Sequence, residues 1–317
     1  MKIGIIGAGA VGVSICNYIL ALGNCSELVL LDTNQERAEG ELLDFGHTSA
    51  LTFTKNTHLT AGSDYQLLVN ADIVVITAGA QIKEGQSRLD LAEVNSQIGV
   101  DIARQVETFA PHTILIVVSN PCDLVAYAII KNTSFESHQV ISSGCVVDTA
   151  RLMKLIGDRV GIDPKNIFGY ILGEHGSHCL MPWNLVSVAG QSIDSYCQQN
   201  QLASIQPDML LNDVRQAGYE IFRRKHNTTH GVAASVFRII QAITVNERSV
   251  LPVGVMVDGY YGLHGVVLSL PTVVSRYGVE KILEQPLVAD DLATLQSIAN
   301  KMRIIIESVA IKLNLNC

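Results

Sequence analysis

The sequence has no C-x-x-C pair, no apolar run of 18 residues free of charge, no internal repeat and no low-complexity tract. Each absence removes a class. The seven cysteines (Cys16, Cys25, Cys122, Cys145, Cys179, Cys197, Cys317) are scattered and mostly flanked by apolar residues, so they read as reduced, buried thiols of a cytoplasmic protein and not as metal ligands or a disulfide framework. Without a long apolar run there is no membrane helix to expect, and M-K-I-G-I-I-G opens without a cleavable signal pattern, so neither export nor anchoring is expected. Charge is also sparse. Only 16% of residues are charged and the balance is −8, a field that repels nucleic acid and anionic membrane surfaces. What remains is 317 residues that are 48% hydrophobic, enough for two ordinary domains each with its own core.

The first half alternates strand and helix. Residues 2–6 form a short β-branched run that stops at Gly7, and G-A-G-A-V-G then places glycines at 7, 9 and 12 ahead of a helical stretch over 13–22. The next strand, 27–31, ends in Asp32, 20 residues beyond Gly12. Strand, glycine turn, helix and a trailing carboxylate are what a dinucleotide site needs. Gly7 makes the turn, Gly9 lets backbone approach a pyrophosphate, Gly12 lets the helix pack, and Asp32 would hydrogen-bond the ribose hydroxyls and repel a 2′-phosphate, which favours NAD. Arg37 has two readings, a contact on the phosphate or adenine side and a solvated helix position. Further strands over 71–77, 113–118 and 139–142 alternate with helices over 35–43, 89–109 and 123–130, predicting an α/β fold with a doubly wound parallel sheet covered on both faces. Ligands bind beyond the carboxyl ends of such strands, which singles out Gly79 and Ala80, nearly without side chains, and Asn120, a donor and acceptor for the nicotinamide end. The polar loop Q-I-K-E-G-Q-S-R carries Arg88 up to a long helix, as a closing lid would.

Beyond residue 144 the alternation loosens into helices over 147–161, 208–223, 228–245 and 289–312, with strands over 168–172, 186–189, 250–256 and 266–270. We therefore expect an NAD-binding domain over 1–144 and an α+β substrate domain over 145–317. Within it, V-D-T-A-R sets Asp148 and Arg151 about one helical turn apart, and G-E-H-G-S sets His175 between glycines. That is a proton carrier, a carboxylate to orient it, and a fixed positive fork. Taken alone, an ordinary ion pair and a satisfied histidine explain these residues as well.

The chain as a whole resembles the L-lactate/L-malate dehydrogenase family. The carriers run in order along its length: G-A-G-A-V-G with Asp32, D-Y (Asp64, Tyr65) before A-D-I-V-V-I-T-A-G-A, E-G-Q-S-R-L-D-L, V-S-N-P-C-D, D-T-A-R, G-E-H-G and G-Y-Y-G-L-H-G-V-V-L-S-L-P. The resemblance implies a Rossmann domain, with Val11 and Tyr65 joining the cofactor residues, and hydride transfer between NADH and the carbonyl carbon of a 2-oxo acid. His175 would give its proton to the carbonyl oxygen, with Asp148 holding the imidazole tautomer. Arg151 would grip the substrate carboxylate through two parallel hydrogen bonds, a task for a planar fork. Arg88 would polarise the carbonyl, and Asn120 and Thr228 would complete the pocket. No metal is implied. A dinucleotide-binding module without catalysis would be expected to have lost one of Arg88, Asp148, Arg151 or His175. The NAD-dependent family-4 type glycosidases would need a Cys/His metal cluster, which has no counterpart in the sequence.

Two departures matter. Ile82 stands where lactate enzymes usually carry Gln and malate enzymes Arg, with Lys83 beside it. An aliphatic residue cannot pair a second carboxylate, so oxaloacetate is disfavoured and an apolar side chain is favoured. This resembles the L-2-hydroxyisocaproate dehydrogenase branch, as does G-Y-I-L-G-E-H-G-S; the expectation is a 2-oxoisocaproate-type substrate, the alternatives being pyruvate with Ile82 merely packing, or Lys83 turned to an acidic group. The second departure concerns control. Related allosteric enzymes place an Arg two residues after the gripping arginine and a His seven before the catalytic one, where this chain has Met153 and Phe168. A homodimer or homotetramer is expected, with the helices over 36–43 and 232–245 of the kind relatives use for contacts. Neither Met153 nor Phe168 can hold a phosphate, so steady-state rates should be unchanged by fructose 1,6-bisphosphate, and a clear rise on adding it would overturn that expectation.

Overall fold

The structure is a computed structural model that describes residues 1–51, 56–81, 88–313 and 316, the side chain of Arg88 excepted. Ile82, Lys83 and the Arg88 side chain, all singled out above, lie outside the described residues.

The first half builds six strands, β1 (Lys2–Ile6), β2 (Glu27–Leu31), β3 (His58–Gly62), β4 (Ile73–Ile76), β5 (Ile114–Val117) and β6 (Val140–Ser142). They run parallel in the order 3-2-1-4-5-6. β4 and β5 are I-V-V-I and I-L-I-V with every residue buried, because helices cover both faces of the sheet and leave no side for polar residues. Those helices are α1 (Ala10–Leu22), α2 (Gln35–Thr48), α3 (Arg88–Phe109) and α4 (Cys122–Asn132). Asn34 caps α2 by accepting a hydrogen bond from the Arg37 amide at 3.1 Å. The order of strand addition reverses between β1 and β4, the place in such sheets where ligands bind at the carboxyl ends.

The sheet does not stop at residue 144. After α5 (Val146–Val160) come five two-residue strands, β7 (Ile167–Phe168), β8 (Leu172–Gly173), β9 (Cys179–Leu180), β10 (Ser187–Val188) and β11 (Gln191–Ser192). Helices α6 (Ile193–Gln199), α7 (Pro207–Lys225) and α8 (His230–Thr244) follow. A long hairpin, β12 (Ser249–Asp258) and β13 (His264–Ser275), with β14 (Gly278–Ile282) on its edge, leads to the last helix, α9 (Ala289–Leu313). β12 adds antiparallel to β6, pairing Gly254 with Ser142, and β13, β8 and β9 extend the same sheet, so the two halves share one frame. β7, β10 and β11 make a separate three-stranded sheet.

Three expectations need correction. The run over 168–172 is not one strand: it breaks at Gly169, φ +158, into β7 and β8. The helix expected from 228 starts at His230, with Thr229 as its N-cap in a non-helical conformation. β3 is a sixth strand that was not anticipated; as an edge strand it reads H-L-T-A-G, largely half-buried and without an apolar face.

One core runs the length of the large sheet. A second lies between α5 and α7, with Leu152, Ile156, Leu210 and Val214. α1 packs on α8, where Tyr18 and Phe237 stack with centroids 5.8 Å apart. Among the described residues no helix is long and apolar enough to cross a membrane.

The β6–β12 seam leaves no room at Gly254, whose added Cβ would stand 2.4 Å from the Asp123 carboxylate and 2.7 Å from Ser142 Cβ. Gly254→Ala should therefore cost about 1–3 kcal/mol through overpacking. Urea denaturation reads this directly, and wild-type stability would show that the seam gives way freely.

Candidate active site

The cofactor end is built where β1 meets α1. Gly7 adopts φ +112, and a Cβ there would meet Thr77 Oγ1 at 2.7 Å and the Ala78 amide nitrogen at 2.8 Å. A Cβ on Gly12 would lie 2.0 Å from the Gly7 carbonyl oxygen, so only glycine lets α1 rise directly off the turn. Gly9 is different: nothing stands within 4 Å of its would-be Cβ, and no side chain caps α1 there. The groove beside Gly9 is thus open to an anion, with the uncapped first turn of α1, which contains Val11, behind it.

Asp32 follows β2. Its Oδ2 accepts a hydrogen bond from the Ala8 amide at 2.7 Å and its Oδ1 one from the Asn34 amide at 2.9 Å. The carboxylate therefore braces the glycine loop. Tyr65 is half-buried against the core, and Arg37 is exposed on α2. Gly79 and Ala80 follow β4; a Cβ on Gly79 would stand 3.1 Å from Asn95 Oδ1 and 3.2 Å from Ser119 Cβ. A cradle of backbone, small residues and a single acidic brace suits NAD.

Asn95 is a residue that the sequence reading missed. Its Oδ1 accepts from the Ala80 amide at 2.7 Å, and its Nδ2 donates to the carbonyls of Ala80 at 3.1 Å and Asn120 at 2.6 Å. One buried amide from α3 thus fixes the loops after β4 and β5 together. The available signal was an asparagine on the same helical stripe as the buried Ala92, Gly99, Ala103 and Val106. Asn120 itself is exposed, ahead of a cis peptide bond to Pro121.

The second half contributes a histidine paired with a buried carboxylate. Asp148 and Arg151 lie one turn apart on α5, and the Ile171 amide donates to Thr149 Oγ1 at 2.9 Å, tying that helix to the segment that leads into His175. Asp148 Oδ2 stands 2.6 Å from His175 Nδ1, and its Oδ1 accepts from Arg151 Nη1 at 2.7 Å. A single carboxylate, 6% exposed, holds both cations or potential cations. Burial pushes the His175 pKa down, but Asp148, and after it Asp123, outweigh that, so the net movement is up from 6.5. Burial likewise acts to raise Asp148, and here His175 and Arg151 win, leaving the carboxyl below its ordinary value. The two directions agree: the pair is held as imidazolium and carboxylate to higher pH than a free histidine would allow.

Arg151 and Thr228 line a cleft of about 490 Å³ between α5, α7 and the start of α8, walled by Val147, Leu155, Ala217 and Val232. His175 and Asn120 do not line it. The structure thus brings together His175, Asp148 and Arg151 directly, and Arg151 with Thr228, while the backbone of Arg88 begins α3. Among the described residues no group of three His, Cys, Asp or Glu side chains could hold a metal ion.

Comparison with known proteins decides the family. Residues 1–142 match the lactate/malate dehydrogenase NAD binding domain, and residues 146–312 match the lactate/malate dehydrogenase alpha/beta C-terminal domain. The chain belongs to the lactate/malate dehydrogenase family. It is 37% identical to an L-lactate dehydrogenase of Acetivibrio thermocellus over 98% of both chains. It is 39% identical to one of Thermoanaerobacter sp. strain X514, over 98% of this chain and 99% of that one. A crystal structure of the minor L-lactate dehydrogenase of Enterococcus mundtii superposes with a TM-score of 0.93 at 34% identity, covering 97% of this chain and 98% of that one. As a member of the family the chain is an NAD-dependent oxidoreductase acting on a CH–OH group.

Proposed function

We propose that the substrate pair is pyruvate and L-lactate, with His175 as the proton carrier, Arg151 as the carboxylate grip and Arg88 as the group that polarises the carbonyl. The observation that carries this is the shared Asp148 carboxylate, at 2.6 Å from His175 and 2.7 Å from Arg151. It leaves His175 with Nε2 as the ring nitrogen free to face a substrate oxygen, and leaves Arg151 with further donors in its planar fork for a substrate carboxylate. Gly7, Gly9, Val11, Gly12, Asp32, Tyr65, Gly79, Ala80 and Asn120 would hold NADH, which would supply the hydride. His175 hands its proton to the developing alkoxide in reduction and takes it back in oxidation, with Asp148 stabilising the imidazolium in between.

The branched-chain preference expected from Ile82 gives way here to the alternative. The relatives quoted above are L-lactate dehydrogenases, and Ile82 rests on sequence chemistry alone. It is retained as the reason to test 2-oxoisocaproate. Insensitivity to the sugar bisphosphate stays with the proposal, since the exposed Phe168 and the half-buried Met153 carry no group that could donate to a phosphate. So does a homo-oligomer, dimer or tetramer, supported by the exposed Leu43 on α2 and Val245 just beyond α8. A cytoplasmic setting is supported by the six described cysteines, all free and buried.

Initial rates with NADH across pH test both parts. Pyruvate should exceed 2-oxoisocaproate in kcat/KM by about tenfold or more, a gap within reach of differences in apolar contact, and oxaloacetate should fall below both. Because reduction consumes the imidazolium, its rate should drop as pH rises through a His175 pKa lying above 6.5, while lactate oxidation climbs over the same range. A preference for 2-oxoisocaproate would establish Ile82 as substrate-facing, and parallel pH profiles in the two directions would remove His175 from its role.

A further inference from the structure

His175 stands at the tip of a tight turn. β8 and β9 pair Leu172 with Leu180 and Gly173 with Cys179, and the Glu174 amide donates to the His178 carbonyl at 2.9 Å, which leaves His175, Gly176 and Ser177 as the turn itself. Two glycines give the backbone latitude, Gly173 at φ +101 and Gly176 at φ +146. The incoming side is held from outside: Asp123 Oδ2 accepts from the His175 amide at 2.8 Å, and the Cys145 thiol donates to the Glu174 carbonyl at 3.7 Å.

The base of the turn is also joined by side chains. Glu174 Oε2 lies 2.5 Å from His178 Nδ1. An ionised carboxylate can only accept, so Nδ1 is the donor. The Glu174 side chain is 15% exposed and that of His178 37%. Among the described residues, a Cβ added at Gly176 would meet nothing within 4 Å except the Glu174 carboxyl group, its Oε1 at 3.8 Å, so that group also lies over the glycine of the turn. Glu174 is near enough to Asp123 to help raise that carboxyl, and the two negative charges repel. Turning out to solvent would relieve the repulsion. The donor on His178 is what keeps Glu174 across the turn.

We propose that Glu174 and His178 are a positioning pair for His175, a side-chain clasp that closes the base of the turn and fixes the angle at which the imidazole meets the substrate. This rests on the reading of His175 as the proton carrier. A partly exposed carboxylate–imidazole pair contributes little to global stability, whereas the reaction is sensitive to small displacements of a reacting group. The clasp should therefore be visible in the rate and nearly silent in unfolding.

His178→Ala removes the donor. The kcat for pyruvate reduction should fall about tenfold, the size of a small misplacement at the reacting centre, while KM for pyruvate and the urea midpoint change little because Arg151 and the core are untouched. His178→Asn, whose Nδ2 can take the place of the imidazole Nδ1 as donor, should rescue kcat to within about threefold of wild type. Adding Glu174→Ala to His178→Ala should slow the enzyme no further, since the two act as a unit. A folded His178→Ala with wild-type kcat, a His178→Asn as slow as His178→Ala, or losses that simply multiply in the double variant would each overturn the proposal. Should His178→Ala not fold, Glu174→Gln keeps the shape and weakens the acceptor, and an unchanged kcat there is equally decisive against the clasp. His175→Asn separates the two levels. Wild-type reduction without that histidine removes the reading on which the clasp rests, whereas an inactive His175→Asn beside an unslowed His178→Ala leaves that reading intact and removes the clasp alone.

Discussion

Everything at the catalytic end depends on one buried carboxylate serving two partners. Asp148 would be expensive to bury alone, and breaking a buried ion pair by removing one member typically costs about 3–5 kcal/mol. His175 and Arg151 each contact a different oxygen of it, so neither partner displaces the other. The consequence reaches outward. Asp148 can meet both only if α5 keeps its rotation and height against the loop of residues 173–178, and the surrounding hydrogen bonds serve that end. Thr149 takes the Ile171 amide, and the Cys145 amide donates to Ser269 Oγ on β13 at 3.0 Å, anchoring the start of α5 to the sheet.

The continuous sheet explains how two halves of the chain could hold a hydride donor and the proposed proton donor in register. Were the halves joined only by a linker, their relative position would vary at the scale of ångströms, and catalysis tolerates much less. Here β6 belongs to the parallel set and β12 to the hairpin of the second half, and they pair at Ser142 and Gly254. Asn95 plays the matching part on the cofactor side, using three hydrogen bonds to make the loops after β4 and β5 a single edge. Both devices are side chains or backbone that act across elements, inside a frame too densely packed to relax around them.

That is also where legibility in the sequence ends. β1, β2, β4, β5 and β6 could be placed because parallel strands covered on both faces become short, uninterrupted apolar runs, and Gly7, Gly9, Gly12 and Asp32 because a dinucleotide constrains backbone and charge at fixed spacing. Asp148 and Arg151 could be paired from helical periodicity alone. β3 was hidden because an edge strand need not be apolar. The pieces between 167 and 173 were hidden because the break between them comes at a glycine of positive φ, Gly169, that the apolar pattern masks. Asn95 and Asp123 were hidden for a deeper reason: each works through long-range contacts, to Asn120 25 positions away and to His175 52 positions away, and no local pattern encodes a partner so distant. In the sequence, Asp123 is only an acidic residue at a helix start.

The division between chemistry and specificity follows from the same physics. His175, Asp148 and Arg151, the residues proposed above as proton carrier, its carboxylate and substrate grip, sit on α5 and a glycine-bounded loop within the fold. On the proposed reading, the residue type that would separate one 2-oxo acid from another lies at position 82. The two choices at that position are not symmetric in energy. A second substrate carboxylate left without a cation incurs the desolvation penalty of a charge, which outweighs any gain from contacts nearby. An extra methylene against an isoleucine contributes only about 1–3 kcal/mol, or roughly 10- to 200-fold. On that reading Ile82 would exclude oxaloacetate more firmly than it would choose among apolar acids. An enzyme with this residue can remain a lactate dehydrogenase and still accept larger side chains, because nothing in replacing a polar lid residue by an aliphatic one introduces a penalty against a methyl group.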